Sequence, residues 1–167
     1  MDGKDLCKTY LEELKAESIS TRKCLERIPE STYGFKPHEK SMEMGYLTLL
    51  VAEIPRWIAV MIETSVVDFA TYKHFQLSTT AKLLAHYEEN LKNAAQALAT
   101  ISDESLKTNF ELRNGATVLS SMPKLESISS TINHWVHHRG QLTVYMRLNN
   151  IAVPSIYGPS ADDRSGY

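Results

Sequence analysis

A chain of 167 residues with 43% hydrophobic and 23% charged side chains and a formal net charge of −2 fits one globular domain with a sizeable core. That charge creates no field attracting nucleic acid or anionic lipid, and no basic cluster with interleaved aromatics occurs, so nucleic acid and membrane are not expected partners. No uninterrupted apolar run is expected to span a bilayer, and Met1-Asp2-Gly3-Lys4-Asp5 lacks the apolar core of a signal peptide, so the expected location is cytoplasmic.

In chain order, Leu6, Tyr10, Leu14, Ser18, Thr21, Leu25 and Ile28 recur at helical spacing. They predict a first helix from about Asp5 to Arg27, closed by Pro29. Cys7 and Cys24 both fall on it, about 25 Å apart at the α-helical rise, so they cannot bond to each other within the helix and are expected to be reduced. Pro29 to Lys40 reads as a loop. A second helix runs from Ser41, its expected N-cap, to Thr64. Leu47, Leu50, Val51, Ile54, Trp57, Ile58 and Met61 make its core face, and Pro55 should cost it one backbone hydrogen bond.

Ser65 to Leu77 reads as irregular. Ser78 is the expected cap of a third helix ending near Thr100, with Leu84, Tyr87, Leu91, Ala94 and Leu98 buried. Phe110 to Leu119 alternates around Asn114-Gly115, which predicts a small hairpin and not a full sheet. Pro123 suits the first turn of a fourth long helix carrying Leu125, Ile128, Ile132, Trp135, Leu142 and Met146. It ends near Asn149-Asn150, and the tail from Ile151 to Tyr167 is expected to pack over the bundle. The fold class is therefore all-α, a four-helix bundle with a small hairpin before the last helix.

Chemistry concentrates on that last helix. His134 and His138 are four residues apart, one turn along one face, and with Gln141 and Tyr145 they form a polar stripe beside the apolar one. Two imidazoles so placed can share a divalent ion such as zinc or nickel, or can simply pack. The zinc-protease pattern is absent, because Trp135 follows His134.

The run His134-Trp-Val-His-His138-Arg139-Gly140-Gln141-Leu142 is followed by Tyr145-Met-Arg147-Leu and by Val153-Pro-Ser-Ile-Tyr157-Gly158-Pro159-Ser160-Ala161-Asp162. With Pro37-His38-Glu39-Lys40-Ser41-Met42, Ala52-Glu53-Ile54-Pro55-Arg56-Trp57 and Leu112-Arg113-Asn114-Gly115, it resembles the DinB-like (damage-inducible) superfamily over nearly the whole chain. The resemblance implies a single DinB-like domain over residues 1–167, an up-down-down-up bundle, a homodimer, and a divalent metal held by three histidines. It does not imply a DNA polymerase. Relatives with known chemistry are thiol transferases, thiol-dependent isomerases and metal-dependent hydrolases.

Two of the three family histidines fall on His134 and His138, and the third falls on Leu50. A zinc or nickel ion at His134 and His138 is therefore expected to bind weakly. Glu53, one turn beyond Leu50, could approach the same space, although it also stands in relatives that keep their histidine. His38, His74 and His86 read as solvated or packing residues, and His137 as facing another helix or a dimer partner. Arg139 is expected to pair with Asp162 or Asp163 and Gln141 to hold the tail backbone. Trp57 and Trp135 are expected in the core, and Tyr145 either meets a substrate or anchors packing. Val60, Ile62 and Val66 form the expected dimer surface. Two functions remain open: a small-molecule enzyme of the thiol transferase or hydrolase class with a degenerate metal site, or a metal-free bundle that binds a small apolar ligand or acts through dimerisation.

Overall fold

The computed structural model describes residues 3–165, so Met1, Asp2 and the last two residues of the predicted tail lie outside it. Five helices and three strands follow in the order α1 (Gly3–Leu25), α2 (Met44–Thr64), β1 (Val66–Asp68), α3 (Thr80–Thr100), α4 (Asp103–Lys107), β2 (Asn109–Asn114), β3 (Thr117–Pro123) and α5 (Lys124–Leu148).

Four long helices form the bundle, and their contacts give its directions. Tyr87 on α3 bonds Ser18 O near the end of α1, while Thr80 at the start of α3 reaches Ile28 O beyond it, so these helices are antiparallel. Asn90 of α3 meets Ala52 of α2, and Lys124, opening α5, reaches Ile62 O at the end of α2 and Ser105 of α4. Helices α2 and α3 therefore run parallel, α2 and α5 antiparallel, and the order is up-down-down-up. The core is one cluster spanning the helices, with Leu14, Leu25, Ile54, Ile58, Leu83, Ile128, Trp135 and Leu142 all nearly inaccessible.

By length and composition α2 could cross a membrane, although Glu53 and Arg56 interrupt its apolar run; its side chains are mostly buried inside the bundle. Pro55 sits within α2 and cannot donate to the carbonyl of Val51. The indole N–H of Trp135 donates to that carbonyl at 2.9 Å. One residue on, Asn90 Nδ2 donates to Ala52 O at 3.0 Å. The backbone interruption in α2 thus becomes the point at which α3 and α5 are pinned to it. Trp135→Phe keeps the aromatic bulk and strands the Val51 carbonyl. It should destabilise the fold by about 1–3 kcal/mol, read as a lower midpoint in urea with unchanged slope.

Several boundaries differ from the sequence reading. Helix α2 starts at Met44, with Glu43 at its N-cap making no side-chain cap bond, because Ser41 N is spent on His38 O in a preceding turn. Thr79, not Ser78, caps α3, accepting from Lys82 N. Pro123 ends β3 and caps α5 instead of opening its first turn. Asn150 at φ 56 closes α5, with Ile151 N bonded to Met146 O and Asn150 N to Arg147 O, a Schellman arrangement in which Asn takes the place glycine often holds.

The largest correction is the sheet. The hairpin exists, with Gly115 at φ 59 beginning its two-residue loop. Its strand β2 also pairs in parallel with β1, giving the order β1-β2-β3. The fold is mostly helical with a small mixed sheet, not purely all-α. Ser65 to Leu77 is not wholly irregular: Ser65 turns at φ 61, Ser65 O accepts from Glu111 N, and Phe69 N donates to Arg113 O. Such long-range pairing leaves little local signal in three residues.

Candidate functional site

His134 and His138 lie on α5, and their Nε2 atoms approach to 2.7 Å. Helical spacing places the rings together, and Gln141, a turn further on, accepts from His138 Nδ1 at 2.7 Å through Oε1. With the amide assigned in that orientation, His138 Nε2 carries the lone pair and His134 Nε2–H donates to it. Gln141 is thus a partner of His138, not of the tail as expected. Burial, then the neighbouring His138 and His137, push the His134 imidazole below its ordinary value. Burial also pushes His138 down, opposed by the Gln141 bond and assisted by His137. Both rings favour the neutral form, the one able to accept a ligand's proton or a metal.

The wall opposite belongs to α2. Trp135 meets Val51, Thr131 Oγ1 lies 3.7 Å from Met61 Sδ, and Leu47 shares a cleft with Gln141 and Tyr145. Leu50 falls between these levels on the same stripe of α2 and is half-buried against the core.

Glu53 does not turn toward the pair. It is 1% exposed, and its carboxylate accepts from Phe75 N at 2.8 Å and meets His74 Nδ1 at 2.9 Å and His86 Nε2 at 3.3 Å. Phe75 stacks on His86 with centroids 4.2 Å apart. His74 and His86 are therefore neither idle nor merely packing: they hold the crossover between β1 and α3 onto α2. The visible signal was Glu53, a carboxylate in the middle of the most apolar helix, a position that demands partners. His38 is exposed in its loop, as expected.

Arg139 is nearly inaccessible and pairs with Glu17 at 2.5 Å, also donating to Thr21 and Tyr157. Asp162 instead takes Arg147 and Asp163 takes Arg27. These two carboxylates clip the tail down, whereas Arg139 anchors α5 to α1. His137 is exposed on this chain, its ring edge-on to that of His138 with centroids 5.1 Å apart. The Tyr145 hydroxyl donates to Met42 O and its ring meets Phe35 edge-on, a packing role. Trp135 is in the core, but Trp57 is only half-buried, tilted against Phe69 and Tyr72.

Trp57 borders a cleft of about 150 Å³ between α2, α5 and the sheet. Met61, Phe110, Leu112 and Met122 supply its apolar wall, and Ser120, Ser127, Ser130, Thr131 and His134 its polar one. The strand residues were invisible as site residues in the sequence, because only the sheet's docking brings them beside α5.

The donor set is short for a catalytic metal site, which takes about three protein ligands. Leu50 offers none, Glu53 is committed elsewhere, and no three His, Cys, Asp or Glu side chains among the described residues gather as a metal-holding group. The residues present do not complete the three-histidine site that the resemblance implied.

A sequence model of the DinB family matches residues 1–165. YrdA, an uncharacterized protein of Bacillus subtilis (strain 168), is 26% identical over 159 residues, 92% of this chain and 89% of that protein. Among solved structures, a DinB-like protein from Bacillus subtilis, YjoA, superposes with a TM-score of 0.70 at 18% identity, covering 93% of this chain and 99% of that one. A DinB-like protein from Bacillus cereus gives a TM-score of 0.68 at 22% identity, covering 90% and 97%.

Proposed function

We propose a function for this chain from one premise: it belongs to the DinB family. It works as a small-molecule site built on the His134–His138 pair, and it holds a divalent ion only weakly. The observation that carries this reading is the direct 2.7 Å approach of the two Nε2 atoms. The rings satisfy one another where relatives of the three-histidine kind would place an ion. An ion entering must break that bond and take its remaining ligands from water. In calorimetric titrations of zinc and nickel into protein without a histidine tag, affinity should be weaker than micromolar and vanish in His134→Ala. Stoichiometric binding tighter than micromolar, lost in His134→Ala, would overturn the reading.

A second reading, a metal-dependent enzyme of the thiol transferase or hydrolase class, is favoured by Gln141. A hydrogen bond from Nδ1 that fixes the lone pair on Nε2 is how metal-ligating histidines are oriented, and here that lone pair accepts from His134. The same titration separates the two.

We also propose a homodimer. Val60 and Ile62 are half-buried against the core, so they offer less free surface than their sequence suggested. Val66, 37% exposed, and Val144 and Leu148 on α5, 57% and 55% exposed, remain outside. In sedimentation velocity, a species near twice the chain mass of 18.9 kDa supports the dimer, and a single species at the chain mass refutes it.

A further inference from the structure

We infer that the cleft between α2, α5 and the sheet binds an uncharged, single-ring aromatic alcohol. The inference rests on the small-molecule reading of the same site and adds the ligand's class. Size comes first: the cleft measures about 150 Å³, and an apolar cavity of roughly that volume accepts benzene. Shape and surface come next. Trp57 and Phe110 line it with aromatic rings, and Met61 and Met122 supply adaptable thioethers that pack well against rings. Charge is decided by absence: no Asp, Glu, Lys or Arg lines the cleft among the described residues. An anionic or cationic ligand would lose its hydration and gain no counter-ion.

The hydroxyl is argued from the polar wall. Ser127 and Ser130 of α5 line the cleft beside His134, and neither hydroxyl is bonded to a described residue. The Thr131 hydroxyl is spent in donating to Ser127 O at 2.8 Å. A ring bearing no polar group would leave the hydroxyl of the buried Ser127 without a partner once water is displaced, and would add nothing to His134 beyond its bond to His138. One alcohol group, which both donates and accepts, suits a mixed set of hydroxyls and imidazole.

The test uses phenol and benzyl alcohol as probes, with toluene, benzoate and benzylamine as controls. Binding is followed by saturation-transfer NMR and by tryptophan fluorescence, Trp57 being the indole on the cleft. Phenol and benzyl alcohol should bind the unmodified protein at least about fivefold more tightly than toluene, the worth of one net hydrogen bond. Benzoate and benzylamine should be weaker still. Met122→Trp, which fills the cleft from the sheet side, should abolish phenol binding. His134→Ala should bring phenol down to the toluene level, in protein whose circular dichroism is unchanged. Toluene equal to phenol, a charged probe bound best, or Met122→Trp without effect would each overturn the inference. So would the absence of binding by every probe; weak zinc binding in the same preparation would then leave the histidine-pair reading standing. Conversely, phenol binding in protein that takes zinc tighter than micromolar would sink the histidine-pair reading and keep this one.

Discussion

Leu50→His should convert the weak histidine pair into a tight divalent-metal site. Leu50 sits on the α2 stripe between Leu47, which shares a cleft with Gln141, and Trp57, which shares one with His134. An imidazole there enters the space beside His134 and His138 from the opposite helix. Three histidines plus an open position form a recognised catalytic donor set. Outer-shell partners alone are worth about 10–100-fold in metal affinity, so a whole ligand should bring more than about a hundredfold. The apoprotein should be less stable, because a polar ring replaces an apolar aliphatic side chain at a half-buried position. Zinc should restore the lost stability, rising with the logarithm of its concentration above the dissociation constant, as binding to the native state requires. Calorimetric titration and thermal melts with and without zinc check both parts. A variant that folds but binds zinc no better than the parent would show that α2 does not present position 50 to the pair.

The second large effect lies at Glu53. Its carboxylate is 1% exposed and accepts from one backbone N–H while meeting two histidines. Glu53→Ala removes the acceptor and leaves the Phe75 N–H and the half-buried His86 without their partner. Leaving a buried donor without its acceptor costs about 1–3 kcal/mol per group. The loss should be concentrated in the crossover between β1 and α3, because His74 and Phe75 of that segment hydrogen-bond the Glu53 carboxylate of α2. Hydrogen exchange should therefore quicken first at residues 69–79, and limited proteolysis should cut there before elsewhere. Uniform loosening of the whole bundle, with the crossover no more exposed than α3, would contradict a latch at Glu53. Glu53→Gln, which keeps one acceptor oxygen, should fall between the two. Trp57 touches Tyr72 and Phe69 of the same crossover, so its fluorescence reports the release directly.

The histidine pair was legible because it is local. Four residues on one helix fix the relation of His134 to His138 whatever surrounds them, and Gln141 joins them by the same spacing, although its partner was misread. Glu53 was legible only as an anomaly: a carboxylate among Val51, Ala52 and Ile54 had to be paired. Its partners come from residues 21 and 33 positions away, and nothing in the local pattern of His74 or His86 announces them. Arg139 shows the same limit. Sequence proximity suggested Asp162 and Asp163, but the bundle places Glu17 beside it, and that acid lies 122 positions earlier.

The sequence by itself determined the four long helices, the hairpin around Gly115 and the interruption at Pro55, because hydrophobic period, glycine's positive φ and proline's missing N–H act within a few residues. It also put Leu50, which has no donor atom in any fold, where the resemblance implies a third histidine. Only the tertiary structure decided that β1 joins the hairpin, that Trp135 repairs the Val51 carbonyl, that Glu53 is spent on the crossover and that Phe110 and Met122 close a cleft against His134. Each of these is a meeting of segments far apart in the chain. Such a meeting is set by how buried polar groups find partners and how apolar faces close against one another, which no local pattern encodes.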